Sequence, residues 1–452
     1  MNPRHAIIIG AGISGLACAL RLRELGVSVR VLEATSRAGG LIATEQQNGF
    51  LFESGPQSFQ LTPELRELIH LAGCESELLE ANPQSPRYVL RGGKLRPAPM
   101  SPPAILTSSL LGAGSKMRVL SEPFRRSQPT AEDESFADFV RRRFGTEILE
   151  HLAGPFVSGV FAGDPEKLSV RSAFPSLALW EAEYGSVIRG AFKSHRRGEH
   201  VRPISASFRG GIDTLLNSAA QKLGESLVTS ANVDSVRPVT ACSWTLHYSA
   251  NTEQEMLPAD AVIVATPAYV AAKLLTPVAE PLASTLAGIP YAPIAVVNQG
   301  YRREHVGHAL NGFGFLVPRT EKLRTLGVIW NSSLFPGRCP EGTVEMTSFL
   351  GGATDPHILD MDDVQIGNHV HKEIAGVLQI KAPPIVQHVW RHQHALPQYN
   401  LGHMQKVAAI RDELRNLSGL FIAGNYLDGP SIGTCVSEGF RTAQTVREYL
   451  SR

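Results

Sequence analysis

A glycine-rich turn between a strand and a helix is the feature that most constrains the fold of this chain. Residues 6–9 form a short apolar run, typical of a buried parallel strand. A helix pattern follows over residues 16–25, and residues 27–32 alternate as a second strand that ends at Glu33. The turn before the helix contains Gly10, Gly12, Ile13, Ser14 and Gly15. This order of elements predicts a βαβ unit that binds a dinucleotide.

Each glycine of the turn has a separate physical role. Gly10 allows the tight turn, Gly12 lets a phosphate approach the backbone, and Gly15 lets the helix pack closely on the strand. The start of the helix offers N–H groups and a positive dipole to the pyrophosphate. Glu33, with Ala34 beside it, lies 18 residues after Gly15, where its carboxylate can accept hydrogen bonds from ribose hydroxyls. That carboxylate disfavours a 2′-phosphate, so NADP is not expected here.

The composition is that of a large globular protein. The 452 residues, of which 43% are hydrophobic, can bury a large core, and the length favours two or three lobes. The 43 basic residues nearly balance the 42 acidic residues, which argues against a protein that binds nucleic acid. The five cysteines show no CxxC pair and no metal-ligand spacing with histidine, so neither a metal site nor a disulfide is expected. Such cysteine usage indicates a reducing, cytoplasmic setting.

No stretch of the sequence is apolar over the roughly 18 residues that a membrane-spanning helix needs. The best candidate, residues 261–275, is interrupted by Pro267 and Lys273. The basic and apolar start of the chain resembles a signal peptide, but its glycines follow the dinucleotide pattern instead. We therefore expect a soluble protein, or one that rests on the inner face of a membrane.

Three later segments indicate which dinucleotide is bound. They are an RxGG segment after Glu33, a Gly-Pro segment near residue 55, and a C-terminal strand, turn and helix. The residues of these segments expected at the cofactor are Arg37, Gly40, Leu41, Gly55, Pro56, Gln57, Ser58, Asn425, Pro430, Ser431 and Ile432. The segments resemble the flavin motifs of the amine-oxidase-like flavoproteins. The resemblance implies non-covalent FAD, clamped between two distant parts of the chain, since a fold that binds only NAD has no reason to return near residue 424.

The chain departs from these flavin motifs in its side chains. Leu41 stands where relatives often carry a basic residue, and Gln57 where some carry arginine. Pro430 and Ser431 stand where others have a valine-containing sequence. Contacts made by the backbone survive such changes. The resemblance also implies that Val233 touches the adenine, although an ordinary core valine is about as common.

The middle of the chain carries a more specific resemblance. Residues 155–169 are similar to the GxxAGDPxxLS segment of the protoporphyrinogen and coproporphyrinogen oxidases of haem biosynthesis, and further matches run from residue 7 to about residue 445. The resemblance implies that Arg87 pairs with a substrate propionate, for which a guanidinium offers parallel donors. It also implies that Gly159 leaves room for the macrocycle, which Leu316 and Phe335 sandwich. The alternatives are an ordinary surface position for Arg87, a turn glycine at Gly159 and core packing for Leu316 and Phe335.

The reaction implied by the resemblance is the six-electron oxidation of a porphyrinogen to a porphyrin in three rounds. In each round a hydride passes from a meso carbon to the flavin, and dioxygen then reoxidises the flavin and forms hydrogen peroxide. The sequence contains no acid–base motif, so no catalytic residue is assigned. It does not separate protoporphyrinogen IX from coproporphyrinogen III.

The predicted fold class is α/β with α+β character: a discontinuous Rossmann-like FAD-binding domain, a mixed-sheet substrate domain and a helical insertion. We expect these three domains to comprise, respectively, residues 1–75, 205–268 and 400–452; residues 76–100 and 269–399; and residues 101–204. The insertion holds the loop at Gly159 and a basic stretch that extends to residue 211. This stretch could dock on anionic lipid or on an acidic substrate, although a solvated loop is the commoner explanation. A homodimer is an assembly that the sequence leaves open.

Two other classes of function are compatible with these motifs. An amine oxidase or a carotenoid desaturase shares the flavin motifs, but an amine site needs an aromatic cage and only 7% of this chain is aromatic. A non-catalytic binding module, such as the Rab escort proteins, reuses the architecture without flavin chemistry. The intact C-terminal flavin segment argues against such a module, and a yellow purified protein would separate the two classes.

Overall fold

The computed structural model describes residues 4–125, 132–196, 204–240, 243–250 and 253–452. The strands of this part of the chain are β1 (His5–Ile9), β2 (Ser28–Leu32), β3 (Thr44–Gln47), β4 (Phe50–Glu53), β5 (Phe59–Gln60), β6 (Leu78–Glu80), β7 (Arg87–Arg91), β8 (Lys94–Pro97), β9 (Ser205–Phe208), β10 (Leu227–Val228), β11 (Ala231–Thr240), β12 (Ser243–Ala250), β13 (Glu253–Ala259), β14 (Ala261–Val264), β15 (Tyr291–Arg302), β16 (Gly314–Leu316), β17 (Thr325–Ile329), β18 (Thr343–Gly351), β19 (Val386–Pro397) and β20 (Leu420–Ile422). Its α-helices are α1 (Ile13–Glu24), α2 (Pro63–Ala72), α3 (Pro102–Thr107), α4 (Ala113–Ser121), α5 (Phe136–Arg143), α6 (Thr146–Ile148), α7 (Gly154–Phe161), α8 (Val170–Ala173), α9 (Pro175–Tyr184), α10 (Val187–Arg196), α11 (Asp213–Leu223), α12 (Ala268–Leu275), α13 (Glu280–Ala287), α14 (Asn331–Leu334), α15 (Asp363–Leu378), α16 (His403–Arg415) and α17 (Ile432–Leu450).

A five-stranded parallel sheet, in the order β10-β2-β1-β14-β20, carries the glycine-rich turn. Ala6 and Ile8 of β1 belong to the core formed with α1 and α17, whereas Ile7 and Ile9 belong to the core on the opposite side, with α12 and α13. Because both faces of the sheet are buried, β1 and β14 are continuous apolar runs. This is the pattern that the sequence predicted.

The second large sheet has seven strands, in the order β19-β15-β18-β17-β16-β7-β8. The pair of β16 and β7 is parallel and the other neighbours are antiparallel, so the predicted mixed sheet is confirmed. Helix α15 covers one face, where Ile366, Val370 and Ile374 join a core with side chains of β15 and β18. The opposite face of this sheet carries most of the residues described below.

The residues between β8 and β9 form a helical layer, α3 to α10, whose apolar core also includes Val89 of β7 and Tyr399. Arg143 and Glu122 are both almost fully buried there and form an ion pair, so neither charge is left uncompensated. A π-helical turn, Leu149–Ala153, leads into α7. Among the described residues, no helix is both long enough and apolar enough to cross a membrane. The parallel sheet, the mixed sheet and the helical layer together confirm the predicted fold class.

Candidate active site

The glycine-rich turn is closed on the side of the sheet and open on the other side. Gly10 has a φ of +101°, and its amide donates to the carbonyl of Leu32 at 2.8 Å. A Cβ atom at Gly15 would lie 2.1 Å from the carbonyl oxygen of Gly10, so strand and helix are too close there for any larger residue. A Cβ atom at Gly12 would meet no atom within 4 Å. The open side therefore exposes backbone at the start of α1, where a phosphate can bind.

Glu33 lies beside this turn at the end of β2 and is 8% exposed. Its Oε2 accepts a hydrogen bond from the amide of Ala11 at 2.8 Å, and its Oε1 accepts from the amide and hydroxyl of Thr35 at 2.9 and 2.8 Å. These bonds fix the carboxylate, and Oε2 keeps an acceptor position for a ribose hydroxyl. Ala34 is exposed at the same edge.

Strand β11 begins next to Glu33 and carries Val233. The amide of Ala231 donates to the carbonyl oxygen of Glu33 at 2.8 Å, which ties the start of β11 to the end of β2. Val233 is half-buried two residues later. This placement suits an adenine contact, which stays a prediction.

Arg37 holds the loop that faces the turn. Its Nη1 donates to the carbonyl of Ile42 at 2.9 Å, and its Nη2 donates to the carbonyl of Gly40 at 2.7 Å. A Cβ atom at Gly40 would lie 3.7 Å from Cα of Gly12, so the two glycines line one groove. Leu41 follows and is 44% exposed. The guanidinium thus shapes the loop from behind, while Gly40 and Leu41 are accessible to a ligand.

Helix α1 is in backbone contact, at its first turn, with the middle of α17. A Cβ atom at Gly439 would lie 2.6 Å from the carbonyl oxygen of Ser14. These residues are 425 positions apart in the chain. The start of α17 lies two turns, or about 10 Å, from this contact. The N–H groups and positive dipole ends of both helices are therefore within the reach of one extended ligand. This convergence and the open backbone at Gly12 fit an extended dinucleotide with its pyrophosphate at α1.

The turn before α17 is held at both ends. The carbonyl oxygen of Asn425 accepts a hydrogen bond from the hydroxyl of Tyr399. Ser431 caps α17 through its hydroxyl, between Pro430 and Ile432. The turn therefore presents a fixed backbone at the helix N-terminus, as the sequence predicted; which of these residues touch the cofactor stays a prediction.

Residues 55–58, which we call the ring loop, lie between the two sheets. Gly55, Pro56 and Ser58 are partly exposed, but Gln57 is only 3% exposed and its side chain points inward. The Nε2 atom of Gln57 donates to the carbonyl of Gly55 at 2.9 Å, and its Oε1 accepts from Nδ2 of Asn331 at 2.7 Å. The amide of Gln57 thus holds the loop from beneath, and the other three residues are the ones that a flavin ring can reach.

His392 fastens the start of the ring loop to the seven-stranded sheet, because its Nε2 lies 2.7 Å from the carbonyl oxygen of Ser54. Sequence reasoning did not single out His392. It lies in no recognisable motif, and only the pairing of β19 with β15 brings it to this place. The same pairing brings Asn298, whose Nδ2 donates to the carbonyl of Glu53 at 3.1 Å.

The strand registers place six residues in one row across the seven-stranded sheet. From β7 to β19 this row, which we call the first row, is Arg87, Gly314, Ile329, Thr347, Asn298 and His388. The second row on the same face is Val89, Leu316, Gly327, Phe349, Val296 and Trp390. Partners in register point to the same side of a sheet. Arg87 therefore shares a face with Thr347, three strand spacings away, or about 14 Å.

Gly159 packs against the second row, but it lies in helix α7 and not in a loop as expected. Its low helix propensity is overridden because Val157 and Phe161, on the same short helix, are buried in the core of the insertion. A Cβ atom at Gly159 would lie 2.5 Å from Cδ2 of Leu316, and one at Gly327 would lie 3.2 Å from the same atom. The structure thus brings Gly159 and Leu316 together at a narrow place.

Arg87 is an exposed cation whose Cζ lies 4.7 Å from the centroid of the Phe313 ring. Desolvation lowers its pKa, and no charged group of the described residues raises it. Phe335 is 1% exposed and packs with Phe313 and Ile329. Ile329 belongs to the first row, which adjoins the row of Leu316 on the same face. The substrate contacts of Leu316 and Phe335 stay predictions.

Known proteins with similar sequences match this chain over nearly its whole length. The family described as flavin containing amine oxidoreductase matches residues 13–447. Protoporphyrinogen oxidase 1 of Spinacia oleracea chloroplasts is 33% identical, over 99% of this chain and 84% of that protein. Coproporphyrinogen III oxidase of Bacillus subtilis (strain 168) is 30% identical, over 99% of both chains. A crystal structure from Exiguobacterium sp. 255-15 has a TM-score of 0.83 at 22% identity, covers 99% of both chains and shows the same fold.

The family match spans both the glycine-rich turn and the C-terminal helix that meet in one groove. It confirms the expectation of FAD, which the groove fits, and the relatives confirm the resemblance to the porphyrinogen oxidases. The chain therefore belongs to the flavin-containing amine oxidoreductases.

Proposed function

We propose that this chain oxidises a porphyrinogen to a porphyrin in haem biosynthesis, with FAD as the hydride acceptor. The main support for the proposal is the first row of the seven-stranded sheet. This row places a residue that touches the ring loop and a cation that can bind a substrate on the same face. Thr347, in the middle of the row, lies 3.0 Å from Oε1 of Gln57 in the ring loop. Arg87, at the end of the row, is a cation without a carboxylate partner among the described residues. The relatives named as protoporphyrinogen and coproporphyrinogen oxidases support this reading.

Arg87 suits a substrate carboxylate in both charge and geometry. Its guanidinium rests on the ring of Phe313, which leaves its edge free to donate two parallel hydrogen bonds. A porphyrinogen carries propionates at its rim and an apolar macrocycle inside. Arg87 lies about 14 Å from the polar residues beneath the ring loop. A propionate at the rim of the substrate can therefore bind Arg87 while the macrocycle lies near the flavin.

We infer that the substrate slot lies between α7 and the second row, and that the contact of Gly159 with Leu316 sets its thickness. Ala162, at the end of α7, has a φ of +49°, and its carbonyl accepts the amide of Ala353 at 2.7 Å. This strained residue is held by the seven-stranded sheet, and strain of this kind is common at binding sites. We infer that α7 is fixed at the distance that a flat substrate needs.

A steady-state assay with protoporphyrinogen IX and coproporphyrinogen III tests the proposal. The expected result is porphyrin fluorescence from at least one substrate, with hydrogen peroxide formed because dioxygen is the proposed acceptor. The matched control is a flavin-free variant, which should give only the background rate. Flavin-dependent oxidation of amines, with no porphyrin from either substrate, would point instead to an amine oxidase.

We also propose the division into domains. The five-stranded sheet takes its strands from residues 1–75, 205–268 and 400–452, and the seven-stranded sheet takes its strands from residues 76–100 and 269–399. The helices of residues 101–204 pack mainly on each other, in a core that also includes Val89 and Tyr399. Deletion of residues 101–204 with a short linker should leave flavin binding but remove the slot at Gly159. Loss of flavin from a folded deletion variant would contradict this division.

Peripheral membrane contact is the second part of the proposal, and the surface of the helical insertion supports it. Phe124, Met117 and Phe192 are 84%, 63% and 55% exposed. Basic side chains lie next to them: the guanidinium of Arg189 is 5.9 Å from the ring of Phe124. Two arginines of the predicted basic stretch, Arg197 and Arg202, lie outside the described residues. Apolar side chains flanked by cations suit an anionic membrane surface.

Vesicle flotation separates this contact from a solvated surface. The protein should float with phosphatidylserine-containing vesicles and less with phosphatidylcholine vesicles, and Phe124→Ser should reduce flotation without changing flavin content. Equal recovery of the wild type with both vesicles and without vesicles would contradict the proposal.

A further inference from the structure

A cluster of polar side chains is buried beneath the ring loop, and we call it the buried polar cluster. Its members are each 3% exposed or less: Gln57, Asn298, Asn331, Glu345 and Thr347. They come from the ring loop, β15, α14 and β18. The face of the seven-stranded sheet that carries the proposed site is thus polar at this one place, although its core neighbours are apolar.

Hydrogen bonds connect every member of the buried polar cluster. Nδ2 of Asn331 lies 2.7 Å from Oε1 of Gln57, 3.0 Å from Oε1 of Glu345 and 2.7 Å from Oγ1 of Thr347. Oγ1 of Thr347 in turn lies 2.6 Å from Oδ1 of Asn298 and 3.0 Å from Oε1 of Gln57. A change at Glu345 is therefore transmitted to the ring loop through only one intervening residue.

The cluster has more acceptors than donors. An amide NH2 and one hydroxyl supply the hydrogens that face Gln57, Asn298 and Glu345. Two further acceptor atoms, Oε2 of Glu345 and Oδ1 of Asn331, are buried without a partner. A buried acceptor without a donor is costly, so an additional hydrogen is needed here. A proton on Glu345 supplies it.

The surrounding charges agree with a neutral Glu345. Arg338, 2% exposed, forms its ion pair with Glu53 at 3.3 Å, and no cation of the described residues pairs with Glu345. Burial raises the pKa of Glu53 to about 7 and that of Glu345 to about 8, against the attraction of Arg338. Burial also raises the pKa of the neighbouring thiol of Cys339. Glu53, with Arg338 and two other donors, ionises first, and Glu345 keeps its proton longest.

A cavity close to Glu345 offers its proton a route to solvent. Ser332 and Arg338 line this surface cavity of about 360 Å³. Oγ of Ser332 accepts from the amide of Glu345 at 3.0 Å, so one residue separates the cavity from the backbone of the acid. A proton on Glu345 can therefore equilibrate with the medium.

We propose that Glu345 is a positioning residue for the flavin: as a neutral acid it completes the hydrogen bonds that hold Gln57 and the ring loop, and its ionisation weakens them. The ionised carboxylate draws the donors of Asn331 and Thr347 to itself, which leaves Oε1 of Gln57 without them. The inference rests on the proposed function only in that the ring loop lies against the flavin.

The test is a pH titration of the flavin's visible circular dichroism in the oxidised holoenzyme. The wild type should show a transition with a midpoint near the Glu345 pKa of about 8, above the Glu53 pKa of about 7. Glu345→Gln should show no such transition and should keep the low-pH spectrum, because its amide donates at every pH. Glu345→Leu, which has no carboxylate to draw the donors of Asn331 and Thr347 away from Gln57, should also show no transition in this range.

The matched control is Glu122→Gln. Glu122 is equally buried, but it pairs with Arg143 in the helical insertion, so this substitution should leave the transition unchanged. A transition near this pH that persists in Glu345→Gln or in Glu345→Leu overturns the inference. If only one of the two variants folds, its spectrum alone decides. Absence of porphyrinogen oxidation would overturn the proposed function but would leave these flavin spectra unaffected.

Discussion

A Cβ atom at Gly159 would lie 2.5 Å from Cδ2 of Leu316, which is far inside the normal contact distance. The helical insertion and the seven-stranded sheet therefore meet where the backbone of Gly159 lies directly against the side chain of Leu316, with only the glycine hydrogen between them. The atom in the way is the end of a flexible leucine, so a larger residue would push Leu316 aside without breaking the helix. Such a displacement changes the slot and leaves the fold intact.

Gly159→Ala should consequently weaken substrate binding. Overpacking of this kind typically costs about 1–3 kcal/mol, which corresponds to a rise of roughly 5- to 150-fold in KM if the slot absorbs it. Flavin content should not change. Gly159→Ala combined with Leu316→Ala should recover most of the loss, because the alanine side chain lacks the clashing Cδ2. Equal kinetics in the single variant and the wild type would show that this place lies outside the substrate path.

Gly12→Val should yield a folded protein without flavin. Gly12 has a φ of −70°, which any residue adopts, and a Cβ atom there meets only open space. The added side chain would instead occupy the place of a phosphate. Absorbance near the flavin band and the melting temperature of the apoprotein check this. Gly15→Ala is the contrast, since its Cβ would lie 2.1 Å from a backbone oxygen and should destabilise the fold itself. Full flavin occupancy in Gly12→Val would refute the phosphate assignment.

Arg87→Ala should impair catalysis and leave the cofactor in place. Loss of a charged hydrogen bond typically costs about 1.5–3 kcal/mol, or roughly 10- to 150-fold in kcat/KM. Arg87→Lys should recover only part, because an ammonium cannot make the parallel pair. Arg319→Ala removes another exposed arginine as a control and should have no effect. A parallel loss of flavin and stability in Arg87→Ala would make the residue structural.

Glu345→Gln should gain stability over the wild type as pH rises. Burial raises the Glu345 pKa from 4.5 to about 8, so the folded wild type binds more protons than the unfolded chain between these values. Wild-type stability therefore falls as pH increases through this window, whereas the amide does not titrate. Glu53 is present in both proteins, and its contribution cancels to first order. Melting temperatures of both holoenzymes across this range should diverge; a constant difference would show that Glu345 does not titrate there.

The flavin should be bound without a covalent bond. Burial raises the pKa of Cys435, near the start of α17, to about 11, and that of Cys74 also to about 11, so both remain thiols that are poor nucleophiles. Denaturation should release all yellow colour into the supernatant. A yellow protein pellet after washing would demonstrate a tether.

Sequence alone determined the dinucleotide-binding unit and the kind of cofactor. The apolar run of β1, the spacing of Gly10, Gly12 and Gly15, and the position of Glu33 are all local patterns. Their consequences follow from short-range sterics, hydrogen bonding and strand periodicity, so they can be read without knowing the rest of the fold. The resemblance extended this reading to the substrate class.

Only the tertiary structure decided how the distant parts meet. Arg87 and Thr347 lie in one row because β7 pairs with β16 and the row continues through β17 to β18, across 260 positions of sequence. Likewise, Gly159 proved to be helical, Phe335 proved to be buried against Phe313, and Glu345 became the acid beneath the ring loop. Such contacts depend on the register of strands far apart in the chain. Register is fixed by the packing of the whole sheet, and no local pattern of residues encodes it.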